Sequence, residues 1–243
     1  MIDVQKFREQ GFIYESIKNY SDLINFEEYS NVKSKIDSID YKVPSRYDYF
    51  YKYRDQSYME VIYYDTFLKN DKDEECAKYV YDLANKFFIE KMQRPELYPT
   101  WVFGTSMNDE IAGITHSSVF RDFQKLFVEK YYLDKVTKST NYNWNNKLQF
   151  YDKGCEIKLH DDGKPKNRLC VFLYFLNDEW SDDSGGHLIL HINNNETIKI
   201  NPVFPNFVVL DSDINLLHEV EMVKKGIKYN IVSFYAVEDS NEQ

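Results

Sequence analysis

Cysteine is scarce in this chain of 243 residues: there are three, Cys76, Cys155 and Cys170. An odd count with no C-x-x-C pair supports neither a disulfide framework nor a zinc site, so a reducing compartment is expected. Runs of positive charge are missing too. No stretch of Lys or Arg exceeds two residues, and the formal net charge is −10. That argues against nucleic acid and anionic membrane as partners, because both need a basic footprint. No apolar run approaches the roughly 18 residues of a membrane span. The opening MIDVQKFREQGF is charged where a secretory signal would be apolar. A soluble, cytoplasmic protein is the expectation. No repeat, low-complexity tract or Pro/Gly-rich linker divides the chain, so a single domain is expected over 1–243.

What the chain has in quantity is aromatic residues, 21 Tyr and 17 Phe, which implies a large packed interior. Its character changes near residue 140. Before that point DEECAKYVYDLANKFFIEKM (73–92) sets Ala77, Val80, Tyr81, Leu83, Ala84, Phe87 and Phe88 on one broad face and stops at two prolines, a helix pattern. SSVFRDFQKLFVEKYY (117–132) reads as a second amphipathic helix with a serine cap and apolar residues at 119, 120, 123, 126 and 127. The aromatic stretch 46–67 is strand or irregular; periodicity does not decide it. After residue 140, eight short strand patterns follow at even spacing: 147–151, 155–161, 168–176, 187–192, 197–200, 206–211, 216–223 and 228–236. Such spacing suggests a two-sheet jelly roll or cupin-type barrel, an α+β fold with a mainly β core. Residues 1–143 would then supply helical support and a substrate-side region, and 144–238 the barrel.

Two of the five histidines can belong to one chelating set. On a strand, side chains at i and i+2 share a face about 6.6 Å apart, which suits two ligands of one metal ion, whereas neighbours point to opposite faces. In EIKLHDDGK (156–164) this pairs His160 with Asp162 and leaves Asp161 facing solvent. His187 and His191 stand four apart, about 13 Å along a strand, too far to share an ion, and take structural roles. His218, on the seventh strand pattern, is the candidate third ligand. Two histidines and a carboxylate form the facial triad of non-haem Fe(II) oxygenases. Lys228 follows His218 by ten residues across the KKG turn. If the eighth strand pairs with the seventh there, Lys228 lies deep in the barrel; the alternative is one more exposed strand lysine.

At this point the residues resemble the 2-oxoglutarate and Fe(II)-dependent dioxygenases, in particular the prolyl 4-hydroxylase-like branch. The resemblance rests on YDKGCEIKLHDD (151–162), on RLCVFLYFLNDEWSDDSGGHLIL (168–190) with its N-x-x-W loop and Gly-Gly turn, and on HEVEMVKKGIK (218–228). FREQGFIYESI, near the start, looks like the family's helix leading into a strand. The resemblance implies a double-stranded β-helix with N-terminal supporting helices. It implies Fe(II) on His160, Asp162 and His218, and 2-oxoglutarate with its distal carboxylate on Lys228. It places Tyr151 as a hydrogen-bond partner of the cosubstrate, Phe234 as an aromatic near it and Tyr174 as an additional contact. The family's pocket-closing tyrosine aligns with Phe175, and its usual serine or threonine with Asn230. Cosubstrates would be 2-oxoglutarate and O2, with ascorbate as a reductant. The expected reaction is hydroxylation of a prolyl residue in a protein or peptide. A free amino acid or small metabolite is the competing substrate class, and a catalytically silent metal-binding interaction module is the alternative outside enzymes.

Overall fold

In a computed structural model, residues 3–38, 48–52, 59–62, 100–104, 117–136, 142–151, 153–163, 167–193 and 196–237 are described. The helix pattern over 73–92 lies outside these residues.

The chain enters through a short helix, α1 (Val4–Gln10), whose first turn is capped by the Asp3 carboxylate accepting from the amides of Gln5 and Lys6. It ends at Gly11, φ +80°, where an added Cβ would come within 2.5 Å of Ile214, so glycine is required on both counts. Strand β1 (Phe12–Ser16) follows, then α2 (Phe26–Asp37), capped by Asn25. Three strands come next, β2 (Asp48–Lys52), β3 (Met59–Ile62) and β4 (Thr100–Gly104), and then α3 (Ser118–Tyr131). Ser117 stands at the cap position of α3, yet its hydroxyl makes no capping bond.

The remaining strands are β5 (Tyr142–Tyr151), β6 (Ile157–His160), β7 (Arg168–Phe175), β8 (Leu188–Asn193), β9 (Glu196–Ile200), β10 (Asn206–Asp211), β11 (Leu217–Val220) and β12 (Lys228–Val237). They correspond one to one with the eight strand patterns. Among the described residues two antiparallel sheets result: a major one ordered β1-β10-β7-β12-β5-β4-β2-β3 and a minor one ordered β6-β11-β8-β9. β8 and β9 pair antiparallel, with Asn193 opposite Glu196. One expected pairing does not occur. β11 lies in the minor sheet between β6 and β8, and β12 lies in the major sheet between β5 and β7. The stretch 221–227 therefore carries the chain from one sheet to the other.

Alternation along the strands sorts the major sheet into two faces. Phe172 and Tyr174 of β7 and Phe207 of β10 meet Phe120 and Phe123 of α3 at ring-centroid distances of 5.0–6.3 Å, mostly edge to face. Tyr29 of α2 joins the same cluster. Burying each such ring contributes about 1.5–3 kcal/mol, and this helix-facing layer fastens the sheet to its support. Within α3, Gln124 is buried and Leu126 is 40% exposed, reversing the expected apolar stripe at one position. The reason is polar: the Gln124 amide donates to Asn146 and to Tyr174, both at 3.1 Å. The opposite face of the same strands carries Lys228, Asn230, Val232 and Phe234 of β12, and it looks toward the minor sheet.

Candidate metal centre

β6 and β11 run antiparallel with His160 directly opposite His218, and their rings lie 4.3 Å apart. Each imidazole is oriented in the same way. Nδ1 of His160 is 2.8 Å from the carbonyl of Lys158, and Nδ1 of His218 is 2.9 Å from that of Leu216. Donating through Nδ1 fixes the tautomer and presents Nε2 as the ligand atom, the outer-sphere arrangement common to metal-binding histidines. The Asp162 carboxylate faces both: Oδ1 is 3.9 Å from Nε2 of His160 and Oδ2 is 3.7 Å from Nε2 of His218. The three ligand atoms all lie within 4.8 Å of one another, a separation that bonds of about 2 Å to a single ion can span. His218 is buried, while the His160 side chain keeps 33% exposure, so the centre opens to solvent on one side.

Asp161 takes no part in this set. It is exposed, and its Oδ1 accepts the Gly163 amide at 2.8 Å, which holds its carboxyl below the usual carboxylate range. Asp162 is steadied from behind, because its backbone carbonyl accepts from Arg168 Nη1 at 2.7 Å. The Arg168 guanidinium in turn lies 4.6 Å above the Phe234 ring.

Deeper in the barrel, Lys228 opens β12 opposite Tyr151 of β5. It is 2% exposed, its Nζ lies 4.6 Å from the Tyr151 ring centroid, and burial lowers its pKa to about 7. Among the described residues no carboxylate pairs with it. A buried ammonium without an anion is costly, and a carboxylate ligand would offset that cost. Beside it runs a polar row: the Tyr151 hydroxyl and the Asn230 amide both donate to Gln149 Oε1 at 2.9 Å. Burial pushes the Tyr151 phenol up, so it stays a neutral donor. Asn230 Oδ1 is buried and has no partner among the described residues. The buried cation over the Tyr151 ring, with the phenol and the amide beside it on the same face, suits an anionic ligand.

The structure thus brings His160, Asp162 and His218 together, and groups Lys228, Tyr151 and Asn230 nearby. Phe234 shares their face of β12, toward the metal-ligand loop. Tyr174 is not brought to this group. It lies on the helix-facing side of β7 with its hydroxyl on Gln124, because alternation gives the inward position to Phe175, which is opposite Asn230. His187 is buried against Glu221 at 2.7 Å and His191 meets Glu219 at 3.1 Å; neither approaches the triad. His116 lies outside the described residues. Gln149 was not singled out from the sequence, although its i, i−2 relation to Tyr151 in KLQFY was a sufficient signal for a shared strand face.

The sequence pattern of the 2OG-Fe(II) oxygenase superfamily matches residues 146–236, the stretch that holds all of these groups. No curated protein sequence matches the chain. Among solved structures, a prolyl hydroxylase from Trichoplax adhaerens, in complex with a hypoxia inducible factor oxygen degradation domain peptide fragment, is similar with a TM-score of 0.54 and 16% identity over 96% of this chain and 86% of that one. A 2OG-Fe(II) oxygenase family oxidoreductase from Burkholderia pseudomallei gives 0.54 at 12% identity over 96% and 88%. IDO from Bacillus thuringiensis gives 0.53 at 16% identity over 97% and 94%. At these identities the likeness is one of fold, the double-stranded β-helix.

Proposed function

We propose that this chain, a member of the 2OG-Fe(II) oxygenase superfamily, hydroxylates a C–H bond of a prolyl residue in a protein or peptide. Membership makes it a dioxygenase that uses Fe(II), 2-oxoglutarate and O2. In our reading His160, Asp162 and His218 hold the iron, and Lys228 pairs with the distal carboxylate of 2-oxoglutarate. When bound, the iron, 2-oxoglutarate and O2 together supply the oxidation that turns C–H into C–OH, with succinate and carbon dioxide as coproducts. The protein's own residues do the rest. Lys228 neutralises a carboxylate in a site closed to water, Tyr151 and Asn230 set its direction through Gln149, and Phe175 and Phe234 offer apolar walls.

One observation carries the reading: the candidate ligand atoms of His160, Asp162 and His218 lie within 4.8 Å of one another, and Tyr151, whose phenol feels the Asp162 charge, lies under the buried Lys228 ammonium, which pairs with no carboxylate among the described residues. The peptide bound by the Trichoplax prolyl hydroxylase supports the choice of a prolyl peptide over a free amino acid. The test is succinate release, measured with a panel of proline-containing peptides beside free amino acids. A prolyl peptide should stimulate turnover and gain one oxygen on its proline ring, and His218→Ala should stop both. Stimulation by a free amino acid and by no peptide would reassign the substrate class. Absence of 2-oxoglutarate turnover with every candidate would sink the enzymatic reading.

A further inference from the structure

Lys228 must be held in place as well as charged, and its neighbours in space show what holds it. On one side its backbone is paired to Tyr151 of β5. On the other side the ladder between β12 and β7 runs out: Asn230 opposite Phe175 is its last register pair, and the Leu176 amide makes a final bond to the Tyr229 carbonyl at 3.2 Å. Beyond that point the backbone of β7 turns away, since the Asn177 carbonyl accepts from Phe204 at 2.7 Å. The Asn177 side chain takes over. Its Nδ2 donates to the carbonyl of Ile227 at 2.7 Å, and its Oδ1 accepts the amide of Tyr229 at 2.8 Å. A side-chain amide has the donor and acceptor of a peptide group, so Asn177 extends the sheet by one unit and grips the residues on either side of Lys228.

The lysine stem has a wall as well. Trp180 donates from Nε1 to the carbonyl of Gly185 at 2.6 Å. Its ring edge lies 3.1 Å from where a Cβ on Gly186 would sit and 3.7 Å from the same point on Gly226. That Gly186 position is in turn 3.7 Å from Lys228 Cδ. Trp180, Gly186 and the lysine stem are therefore stacked with no room for another side chain. The N-x-x-W loop and the Gly-Gly turn, which have no catalytic group to contribute, converge on one residue.

We infer that Asn177 is a positioning residue for Lys228, with Trp180 as its backing, and that the pair sets the affinity for 2-oxoglutarate without touching the metal. The inference rests on the assignment of Lys228 as the carboxylate partner. A hydrogen-bonded clamp that aims a buried charge should matter for the ligand of that charge and leave ligands of the other sheet alone, because His160, Asp162 and His218 are all carried by the minor sheet and its adjoining loop.

The experiment is calorimetric titration of the whole chain, first with Mn(II) alone and then with 2-oxoglutarate on the Mn(II)-loaded protein. The parent is compared with Asn177→Ala, Asn177→Asp and Lys228→Met. Asn177→Asp keeps the acceptor for Tyr229 and the side-chain volume, so it serves if the alanine variant fails to fold. Loss of the Ile227 bond should raise the 2-oxoglutarate Kd by about tenfold while the Mn(II) Kd stays within about twofold of the parent. In a Lys228→Met background the Asn177 substitution should add nothing to the remaining weak binding, because residues that act as one unit are not additive. Unchanged 2-oxoglutarate affinity in both Asn177 variants overturns the inference, as does an equal loss of Mn(II) affinity, which would mark Asn177 as merely structural. If Lys228→Met itself binds as tightly as the parent, or the parent binds no 2-oxoglutarate, the assignment of Lys228 fails and the inference falls with it; that outcome is distinguishable because it appears without any change at Asn177.

Discussion

Replacing Lys228 by methionine is expected to make the ligand-free protein more stable while weakening its hold on 2-oxoglutarate. The lysine is 2% exposed and burial lowers its pKa from 10.5 to about 7. In the unfolded chain it returns to the ordinary lysine value near 10.4. Below about pH 7 the folded protein carries a desolvated charge and bears the full cost. Between about pH 7 and about pH 10.5 the unfolded state binds more protons than the folded one, so stability rises with pH and the cost fades. The gap between the two values corresponds to a penalty on the order of 4 kcal/mol at pH 7. Methionine keeps an unbranched apolar stem against Trp180 and Gly186 and removes the charge. For a chain of this size that should raise the midpoint of thermal unfolding by on the order of 10 °C at pH 7, with the advantage shrinking toward pH 10. Differential scanning calorimetry of the metal-free proteins across this range reads the effect directly. Adding Mn(II) and 2-oxoglutarate should then stabilise the parent much more than the variant. A variant that melts at or below the parent near pH 7, or a gap that does not change with pH, would refute the account of Lys228 as an unpaired buried cation.

Three further outcomes follow from the same geometry. Asp162→Ala should abolish tight Mn(II) binding in a calorimetric titration, whereas Asp161→Ala should keep it within a fewfold of the parent; equal losses would mean that the strand faces are misassigned. Because Lys228 titrates at about 7 in the ligand-free protein and only its protonated form pairs with a carboxylate, the 2-oxoglutarate Kd should rise by nearly tenfold per unit above about pH 7 with proton uptake on binding. Titrations in buffers of different ionisation enthalpy measure both, and a flat profile contradicts the pairing. Gly185→Ala should cost about 3 kcal/mol or more in urea unfolding, since its φ is +68° and the new Cβ would lie 2.0 Å from the carbonyl oxygen of Met222. Gly163→Ala, with φ +70° and nothing within 4 Å, should cost only about 1 kcal/mol.

The strands were legible because a half-buried strand writes its two faces into the sequence with a period of two. That one rule separated Asp162 from Asp161, while the rise along a strand, about 13 Å over four residues, kept His187 and His191 from sharing an ion. It also contained the answer for Tyr174 and Gln149: counted from Lys228 and its register partners, Phe175 and Gln149 fall inward and Tyr174 outward. The resemblance pointed to Tyr174, and the alternation of β7 places it against Gln124 instead. Gln124 in turn shows what helical periodicity cannot see, a polar residue buried with its amide nitrogen donating to Asn146 and Tyr174 of the sheet it packs on.

What stayed hidden is which sheet a strand joins. A turn such as KKG marks a reversal, and a hairpin between the seventh and eighth strands was the natural expectation; the chain uses that reversal to change sheets. The consequence is functional. With His218 on the minor sheet and Lys228 on the major one, a ligand joining the proposed iron to this cation would lie between the sheets. A hairpin would have put both on one wall. On its other side β12 starts where the backbone of β7 turns away, and there Asn177 completes the ladder. An asparagine far from any reactive group thereby closes the gap that the departure of β7 opens, gripping the backbone on either side of the lysine proposed to carry the site's charge.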